Sequence, residues 1–417
     1  MNITGIIAEY NPFHNGHAYQ IAKARELTDA DYMVVVMSGN YVQRGAPALT
    51  DKFTRAKMAL NNGADMVVEL PALWASAAAP DFAAGGCALL DKLGCVTHIS
   101  YGCEAKEPAM LCRLAKILAD EPERFALSLK KYQKKGKSFP SAMEHALSDY
   151  LKTESRAVSP LPDREELHSL FSSPNNILAL EYEKNSIKRR MELIPCPISR
   201  KGCGYHDSDL TTDFSSATGI RHGLFSGENF SPKDHMPETA AELLPPVQNL
   251  LRENDFSQML YYKLLSEASG GFEKYMGSSP FLSNRIKNNL DLFFDYTDFC
   301  DRLKTKEVTY AKISRLLLHI LLNFTEEDTA LGKSLDYIPY LRLLGFRQSA
   351  RPLLKIIETH GDAPILTKPA AAKAMLSEKA FQIYEKDLFS SNLYYGLQAQ
   401  KKRGEVKNEY RKSLVIL

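Results

Sequence analysis

This chain of 417 residues lacks the features of membrane-spanning and secreted proteins. A strongly apolar stretch at residues 316–324 is interrupted by His319 and is too short to cross a bilayer, which needs about 20 residues. The chain opens directly on a strand-like run, without a basic leader or a cleavable apolar segment. These absences predict a cytoplasmic protein without a membrane partner.

The chain has few cysteines, and its net charge is close to zero. The seven cysteines are an odd number and include no C-x-x-C pair, which favours reduced thiols over a disulfide framework. Cys203 and His206 have the spacing of metal ligands, but no second pair stands near them, so we predict no metal site. A formal net charge of +2 means that any affinity for nucleic acid must come from local patches. The absence of a P-loop pattern argues against a Walker-type ATPase.

The first hundred residues alternate apolar runs with helical patterns. Four runs predict buried strands: Thr4–Ala8, Tyr32–Met37, Met66–Leu70 and Thr97–Tyr101. Helices are predicted from Gly16 onwards, over Thr50–Leu60 with Thr50 as N-cap, and over Pro80–Leu93. Repeated units of this kind give a parallel sheet that binds ligands at the carboxyl ends of its strands. Three polar segments follow such ends: Tyr10–His17, Ser38–Arg44 and Gly102–Glu104.

The remainder of the chain changes character. A strand is predicted near Ile194, followed by a polar loop over Arg200–Ser216. Beyond about residue 245 every segment favours helix, including the apolar Lys306–Asn323 and Leu343–Phe346. We therefore predict an α/β protein with a parallel-sheet domain over residues 1–230, followed by an all-helical C-terminal domain over residues 231–417.

The sequence His14-Asn15-Gly16-His17 stands between the first predicted strand and the first predicted helix. Such a helix start aims unpaired N–H groups and a positive dipole end at one point, and residues at i and i+3 share a face. A single histidine at a helix start is usually a polar neighbour of the cap. Two histidines around a glycine, directly after the first strand, favour phosphate binding. They resemble the H-x-G-H signature of the nucleotidyltransferase superfamily, whose members catalyse attack on the α-phosphate of ATP or CTP.

A second segment, residues 215–221, places hydroxyls at a helix start and Arg221 in the next turn. Alone it is an ordinary helix start. In order after His14–His17, it resembles the Ser-Ser-Thr-x-x-Arg-type second signature of nucleotidyltransferases and predicts a contact with the leaving pyrophosphate. Ala217 stands where those enzymes often have threonine, although Thr218 follows directly.

Longer strings along most of the chain are similar to the bacterial tRNA(Met) cytidine acetate ligase family. They are GIIAEYNPFHNGHAYQI, VVMSGNYVQRGAPALTDKFTRAKMAL, VVELP, YGCE, SPNNILALEY, RKGCGYHD, SSATGIR, LLLHILLN and RLLGFRQSARPLL. The resemblance implies a Rossmann-like nucleotidyltransferase (HUP-type) first domain that uses ATP, with Mg²⁺, and holds no prosthetic group. It implies that acetate is activated as acetyl-adenylate and passed to N4 of the wobble cytidine of elongator tRNA(Met), with release of AMP and pyrophosphate.

The resemblance also implies site residues. His14, His17 and Arg221 would be catalytic. The implied ATP-binding set is Ile7, Ala8, Glu9, Tyr10, Asn11, Pro12, Phe13, His14, Asn15, Gly16, His17, Ala18, Tyr19, Gln20, Gly102, Asn175, Arg200, Ser215 and Ser216. Without the resemblance, Asn175 reads as an ordinary N-cap and Arg200 as a surface charge. Ser38, Asn40, Gln43 and Arg44 are candidates for handling acetate or the adenylate, with a plain loop role as the alternative.

Basic clusters are the candidates for binding tRNA. They comprise Lys130, Lys131, Lys134 and Lys135; residues 188–190; and Lys401, Lys402 and Arg403 with residues 407, 411 and 412. Tyr132 and Tyr410 interleave with them and could stack on unpaired bases. Solvated helix faces without a ligand are the alternative. The expected partners are tRNA, ATP and acetate, and no protein partner is implied.

Two other classes of function stay open at this point. A small-molecule adenylyltransferase that makes a coenzyme is usually a compact single domain, so the long helical half argues against it. A catalytically silent RNA-binding scaffold has no need of the intact His14, Gly16, His17 and Arg221.

Overall fold

The computed structural model describes residues 1–104, 108–137, 139–153, 162, 164–199, 215–226 and 230–417. The strands within these ranges are Ile3–Ala8 (β1), Tyr32–Ser38 (β2), Tyr41–Val42 (β3), Ala46–Pro47 (β4), Met66–Leu70 (β5), His98–Cys103 (β6), Ile194–Ser199 (β7), Leu341–Phe346 (β8), Ile365–Leu366 (β9) and Val415–Ile416 (β10). The helices are Asn15–Thr28 (α1), Lys52–Asn61 (α2), Ala72–Ala75 (α3), Ala79–Lys92 (α4), Pro108–Asp120 (α5), Glu123–Lys134 (α6), Phe139–Thr153 (α7), Arg164–Ser172 (α8), Pro174–Lys188 (α9), Ala217–Ser226 (α10), Glu238–Ala241 (α11), Ser257–Glu267 (α12), Pro280–Lys287 (α13), Tyr296–Leu303 (α14), Tyr310–Leu322 (α15), Glu326–Ser334 (α16), Arg351–His360 (α17), Ala372–Met375 (α18) and Glu378–Lys402 (α19).

One mostly parallel sheet organises the protein. Its strands follow the order β10-β8-β5-β2-β1-β6-β7, with β9 beside β8. Strand β1 lies between β2 and β6 and runs parallel to both. The antiparallel pair in this sheet joins β5 to β8. The predicted α/β class is confirmed, and the four predicted strands of the first hundred residues and the strand near Ile194 are all present.

Alternate residues of each strand enter the two hydrophobic cores, one on each face of the sheet. Ile6 and Val35 pack with α1, α2 and α10, whereas Ile7 and Val36 pack with α3, α4, α9 and the helical second half. Burial on both faces explains why these strands are continuous apolar runs rather than alternating ones.

Two local predictions were wrong. Leu343–Phe346, predicted helical, lies in β8, where Leu343 pairs with Val68 of β5. A short apolar run fits a buried strand and a buried helix equally well by periodicity, so the pattern was ambiguous. The N-cap of α2 is Asp51 rather than Thr50, because the Asp51 carboxylate accepts the amide hydrogens of Phe53 and Thr54.

The C-terminal half is mainly helical, yet it is not purely so. Strands β8, β9 and β10 all come from residues after 340 and extend the sheet of the N-terminal half. The sheet therefore crosses the boundary that we predicted at residue 230, and that boundary stays a prediction.

The residues that the structure describes show neither a membrane-spanning helix nor a metal-binding cluster. No helix there has both the length and the apolarity needed to cross a membrane. The same residues contain no cluster of three or more His, Cys, Asp or Glu side chains arranged to hold a metal ion. Arg200, Cys203 and His206 lie outside the described residues.

Candidate active site

A cavity of about 1090 Å³ opens at the carboxyl ends of β1, β6 and β7. We call its two parts the nucleotide lobe and the helical lobe. The nucleotide lobe is lined by the β1–α1 segment, the end of β6 and the starts of α9 and α10. The helical lobe is lined by residues 42–44 and 46–47 of the β3–β4 hairpin, residues 251–253 and the start of α15. This is the edge at which parallel sheets bind ligands.

The paired histidines organise the start of α1. His14 is the N-cap, and its Nδ1 accepts the Gly16 amide hydrogen at 3.1 Å. His17 Nδ1 in turn accepts the His14 amide hydrogen at 3.2 Å, and the two rings stack with centroids 3.7 Å apart. Because each Nδ1 is an acceptor, the proton of each neutral ring lies on Nε2. In its neutral form each imidazole therefore carries an Nε2–H donor at the start of α1.

The loop between β1 and α1 is held on several sides. Tyr10 has a left-handed backbone, with φ of 49°, and its buried ring contacts the rings of Phe13 and His17. The Leu49 amide donates to Asn11 Oδ1 at 2.7 Å. Of the predicted stretch from Ile7 to Gln20, the residues that do not line the cavity are Pro12, Phe13, Asn15 and Ala18.

The second signature meets the first at the start of α10. Arg221 Nη1 donates to the Asn11 carbonyl at 2.6 Å and Nη2 to Thr218 Oγ1 at 3.2 Å. Ser216 caps the helix by accepting the Gly219 amide hydrogen at 3.0 Å. The fold thus brings together two motifs that lie 210 residues apart in the chain.

His235 is a positioning residue that the sequence analysis missed. Its Nδ1 hydrogen-bonds to Ser215 Oγ at 2.8 Å, and its carbonyl accepts the Asn15 amide hydrogen at 3.1 Å. It therefore connects both signatures. It lies in a segment without a periodic pattern, and no local signal marks it.

Gly102 and Asn175 both line the nucleotide lobe. Asn175 Nδ2 donates to Glu104 Oε1 at 2.6 Å, and Ser173 Oγ donates to Glu104 Oε2 at 2.6 Å. The N-cap of α9 is Ser173, so Asn175 lies in the first turn and is not the cap.

The four candidates for acetate or adenylate are divided by the fold. Gln43 and Arg44 line the cavity. Ser38 and Asn40 are buried behind it, and Asn40 Oδ1 accepts the Lys52 amide hydrogen at 3.0 Å. Arg55, which the sequence analysis missed, is fully buried and donates to the carbonyls of Glu9 at 2.6 Å and Ser38 at 3.0 Å. It fixes the ends of β1 and β2 against each other.

Glu9 and Arg315 meet the hairpin where the two lobes join. The Gln43 amide donates to Glu9 Oε1 at 2.7 Å, and Arg315 Nη1 donates to the Gln43 carbonyl at 3.4 Å. Burial raises the pKa of Glu9 above its usual range, although Arg44, Arg221 and Arg55 act in the opposite direction. Burial lowers the pKa of the Arg315 guanidinium. Arg315 comes from the helical half, so no sequence pattern connects it with β1.

The basic clusters lie outside this cavity. Lys130, Lys131, Lys134 and Lys135 are exposed on or just after α6, and the ammonium groups of Lys131 and Lys135 lie 5.5 and 5.7 Å from the centre of the Tyr132 ring. Lys402 and Arg403 are exposed, whereas Lys401 pairs with Asp255 at 2.6 Å. Arg189 is held by Asp91 and Asp336, which gives it a structural role.

The chain is similar to known proteins over most of its length. The model of the family HIGH Nucleotidyl Transferase matches residues 1–409. A tRNA(Met) cytidine acetate ligase of Clostridium tetani is 38% identical over 375 residues, covering 88% of this chain and 90% of that protein. One from Thermoanaerobacter sp. is 35% identical over 406 residues, with 94% and 95% covered.

Solved structures lead to the same family. The apo crystal structure of Thermotoga maritima TmcAL has a TM-score of 0.92 and 30% identity, with all of both chains covered. The same protein bound with alpha-thio ATP has a TM-score of 0.90 and 29% identity, again with full coverage of both chains.

Proposed function

The chain belongs to the HIGH nucleotidyltransferase family and, within it, to the tRNA(Met) cytidine acetate ligases, and we propose that it uses ATP and acetate to acetylate N4 of the wobble cytidine in elongator tRNA(Met). The observation that carries this proposal is the junction of the two signatures in one cavity, where Arg221 binds the Asn11 carbonyl beside the stacked His14 and His17. Relatives that bear this name match the chain over about its full length.

The first step forms the acetyl-adenylate. An acetate oxygen attacks the α-phosphorus of ATP, and the bond to the bridging oxygen of pyrophosphate breaks, so the electron pair leaves with pyrophosphate. His14 and His17 donate from Nε2 to phosphate oxygens, together with amides at the start of α1. Arg221 and the hydroxyls at the start of α10 stabilise the leaving group. The protein contributes position and charge stabilisation.

The second step transfers the acetyl group. The cytidine N4 attacks the acetyl carbon, the bond to the AMP oxygen breaks, and AMP leaves as N4 loses a proton. A carboxylate is a poor acyl donor and the exocyclic amine is a weak nucleophile, so the mixed anhydride divides one difficult reaction into two feasible ones. This scheme needs neither a covalent enzyme intermediate nor a partner protein, and we place it in the cytoplasm.

Gln43 and Arg44 are the candidates to receive acetate, because they line the cavity beside the nucleotide lobe. Mg²⁺ would neutralise phosphate charge when it is bound. Among the described residues no cluster of three His, Cys, Asp or Glu could hold it, which fits an ion that arrives on the phosphates of ATP.

Exchange of radiolabelled pyrophosphate into ATP tests the first step without tRNA. Exchange that requires acetate would support the ligase. Exchange that requires a phosphorylated coenzyme precursor would instead identify a small-molecule adenylyltransferase, and no exchange under any condition would leave an RNA-binding scaffold. The second step is followed as transfer of labelled acetate to the tRNA.

A further inference from the structure

We propose that Glu9 is the general base of the acetyl-transfer step and accepts the proton that cytidine N4 loses when it attacks the acetyl-adenylate. This inference rests on the function proposed above and goes beyond it, because it assigns the proton to one named oxygen. The family resemblance placed Glu9 only within an ATP-binding stretch.

The side chain of Glu9 is anchored and directed. It follows the last residue of β1 and lines the cavity. Its Oε1 accepts the Gln43 amide hydrogen at 2.7 Å, and its own carbonyl is fixed by Arg55. Among the described residues, the bond from the Gln43 amide is the one hydrogen bond of the Glu9 side chain. The second carboxylate oxygen, Oε2, can therefore accept a hydrogen bond from a donor in the cavity.

The position of Glu9 fits a contact with the acceptor base better than one with the triphosphate. A carboxylate repels phosphate oxygens, and the donors for those oxygens are His14, His17 and Arg221. Glu9 instead contacts Gln43 in the hairpin, whose carbonyl accepts a hydrogen bond from Arg315 of the helical lobe. In the function proposed above the adenylate lies in the nucleotide lobe, which leaves the helical lobe for the cytidine. Glu9 lies where the two lobes join.

The surroundings suit a carboxylate that gains and releases a proton. The charged groups that act on it are Arg55 of α2, Arg44 of the hairpin and Arg221 of α10, with Arg315 of α15 one hydrogen bond beyond. His14, the N-cap of α1, and His17 line the same cavity, and Tyr10 adjoins Glu9 in the chain. Tyr182 of α9 also lines the cavity and interacts electrostatically with Glu9. Burial outweighs the three arginines and raises the pKa of Glu9. A carboxylate whose pKa lies closer to the working pH is a stronger base while still ionised.

The step balances as follows. The N4 lone pair forms the bond to the acetyl carbon, and the N4 proton passes to Glu9 Oε2. The bond from the acetyl carbon to the AMP oxygen breaks, and its electron pair leaves with AMP. The Glu9 carboxylic acid then returns the proton to water, which restores the base.

The test is Glu9→Gln in the full-length protein, because an amide keeps the acceptor for the Gln43 N–H but cannot take the proton. Acetyl transfer to tRNA from wild-type-derived acetyl-adenylate should fall by about 10²–10⁴-fold, the usual contribution of a general base. Acetate-dependent pyrophosphate exchange should change far less. Hydroxylamine, a strong nucleophile, should still trap the acetyl group at near the wild-type rate. Glu192→Gln is the matched control. Glu192 is exposed and lies before the amino end of β7, whereas Glu9 follows the carboxyl end of β1.

A pH profile separates a base from a merely structural residue. The wild-type transfer rate should rise with pH and level off above the pKa of Glu9, this rise should vanish in Glu9→Gln, and Glu9→Asp should restore part of the rate. The inference is overturned if Glu9→Gln transfers acetate within about threefold of wild type, or if it loses exchange and transfer equally. Absence of acetate-dependent exchange in the wild type would overturn the proposed function itself, a separate outcome.

Discussion

Among single residues, His14 and His17 combine two tasks. Each Nδ1 holds the helix start together by accepting an amide hydrogen, and we propose that each Nε2 donates to phosphate. His14 is buried with 6% of its surface exposed, so we expect its replacement to affect stability as well as activity. The two contributions can be separated by the choice of substitution.

We expect His14→Asn to keep the N-cap hydrogen bond of α1 and to lose most of the adenylate-forming activity. Asparagine is a favoured N-cap whose oxygen can accept the Gly16 amide hydrogen, but it does not reach the Nε2 position. Acetate-dependent pyrophosphate exchange should fall at least about 100-fold, as for loss of a charge-stabilising donor. The unfolding free energy should stay close to wild type, whereas His14→Ala should lose about 0.5–2 kcal/mol as well. Urea unfolding and exchange assays on both variants check this, and near-wild-type exchange in His14→Asn would remove the ring from the mechanism.

The sequence could bring candidate site residues together where they lie in a contiguous motif, although their roles stay predictions. His14, His17, Ser215, Ser216 and Arg221 all line one cavity, because a strand end and a helix start fix their local geometry. Arg55, His235 and Arg315 were missed since their partners are distant in the chain. Ser38 is the last residue of β2 and lies buried, because Arg55 fills the space between the strand ends.

Among the elements, the β3–β4 hairpin joins the two halves of the site. Its Gly45 has φ of 80°, and its carbonyl accepts hydrogen bonds from Tyr296 Oη at 3.0 Å and Ser314 Oγ at 2.8 Å. A Cβ at Gly45 would collide with the backbone nitrogen of Arg315. The hairpin can therefore lie against α15 only when this residue is glycine.

We expect Gly45→Ala to damage activity more than backbone strain alone can explain. Gly277→Ala is the matched control, because Gly277 has φ of 77° and a Cβ there would meet no atom within 4 Å. Both variants should lose about 1–2 kcal/mol of unfolding free energy from the left-handed backbone. Gly45→Ala should lose about 1–3 kcal/mol more and much of its acetyl-transfer activity, since the hairpin must move away from α15. Equal losses in the two variants, measured by urea unfolding, would show that the close contact has no cost.

Strand β8 shows where sequence patterns fail among the elements. The buried strands of the first hundred residues were recognisable because glycine, asparagine and helical segments separate them. Residues 341–346 stand in a long helical half, and their neighbour β5 is far away in the chain. Tertiary pairing, rather than local preference, makes this run a strand.

In the whole molecule, a buried charge network ties the C-terminal segments to the sheet. Lys52 Nζ lies 2.7 Å from Glu69 Oε2 and 3.0 Å from Glu409 Oε1, and Arg342 lies 3.1 Å from Glu409. Nearby, Asp387 of α19 accepts the Ala72 amide hydrogen at 2.7 Å and the Tyr340 hydroxyl hydrogen at 2.5 Å. Burial, followed by the charge of Glu69, raises the pKa of Asp387 to about 7.

This raised pKa predicts a loss of stability with rising pH. The folded state holds the Asp387 proton up to about pH 7, whereas the unfolded chain releases it near pH 4, so folding binds a proton between these values. The contribution of Asp387 to the unfolding free energy should fall by up to ~1.4 kcal/mol per pH unit between pH 4 and pH 7 and be constant above pH 7. Asp387→Asn should remove this pH-dependent contribution. The unfolding free energy of the wild type minus that of the variant, measured by urea unfolding, should therefore decrease from pH 5 to pH 8. Parallel pH dependence of the two proteins would contradict this account.

We predict that this near-neutral chain binds tRNA through local basic patches. Lys402→Glu with Arg403→Glu should weaken tRNA binding and reduce its salt dependence, while acetate-dependent exchange is unchanged because neither residue lines the cavity. Lys130→Glu with Lys131→Glu tests the α6 patch in the same way. Filter binding at several salt concentrations decides between them, and unchanged affinity in a variant would exclude its patch as a tRNA contact.

We propose that one cavity holds the triphosphate of ATP between the two signatures. A crystal structure of the protein with a nonhydrolysable ATP analogue tests it most directly. We expect phosphate oxygens within hydrogen-bonding distance of Nε2 of His14 and His17, with the terminal phosphates at the start of α10. A nucleotide bound outside this cavity, or with its phosphates away from both histidines, would show that the two signatures do not form the triphosphate site.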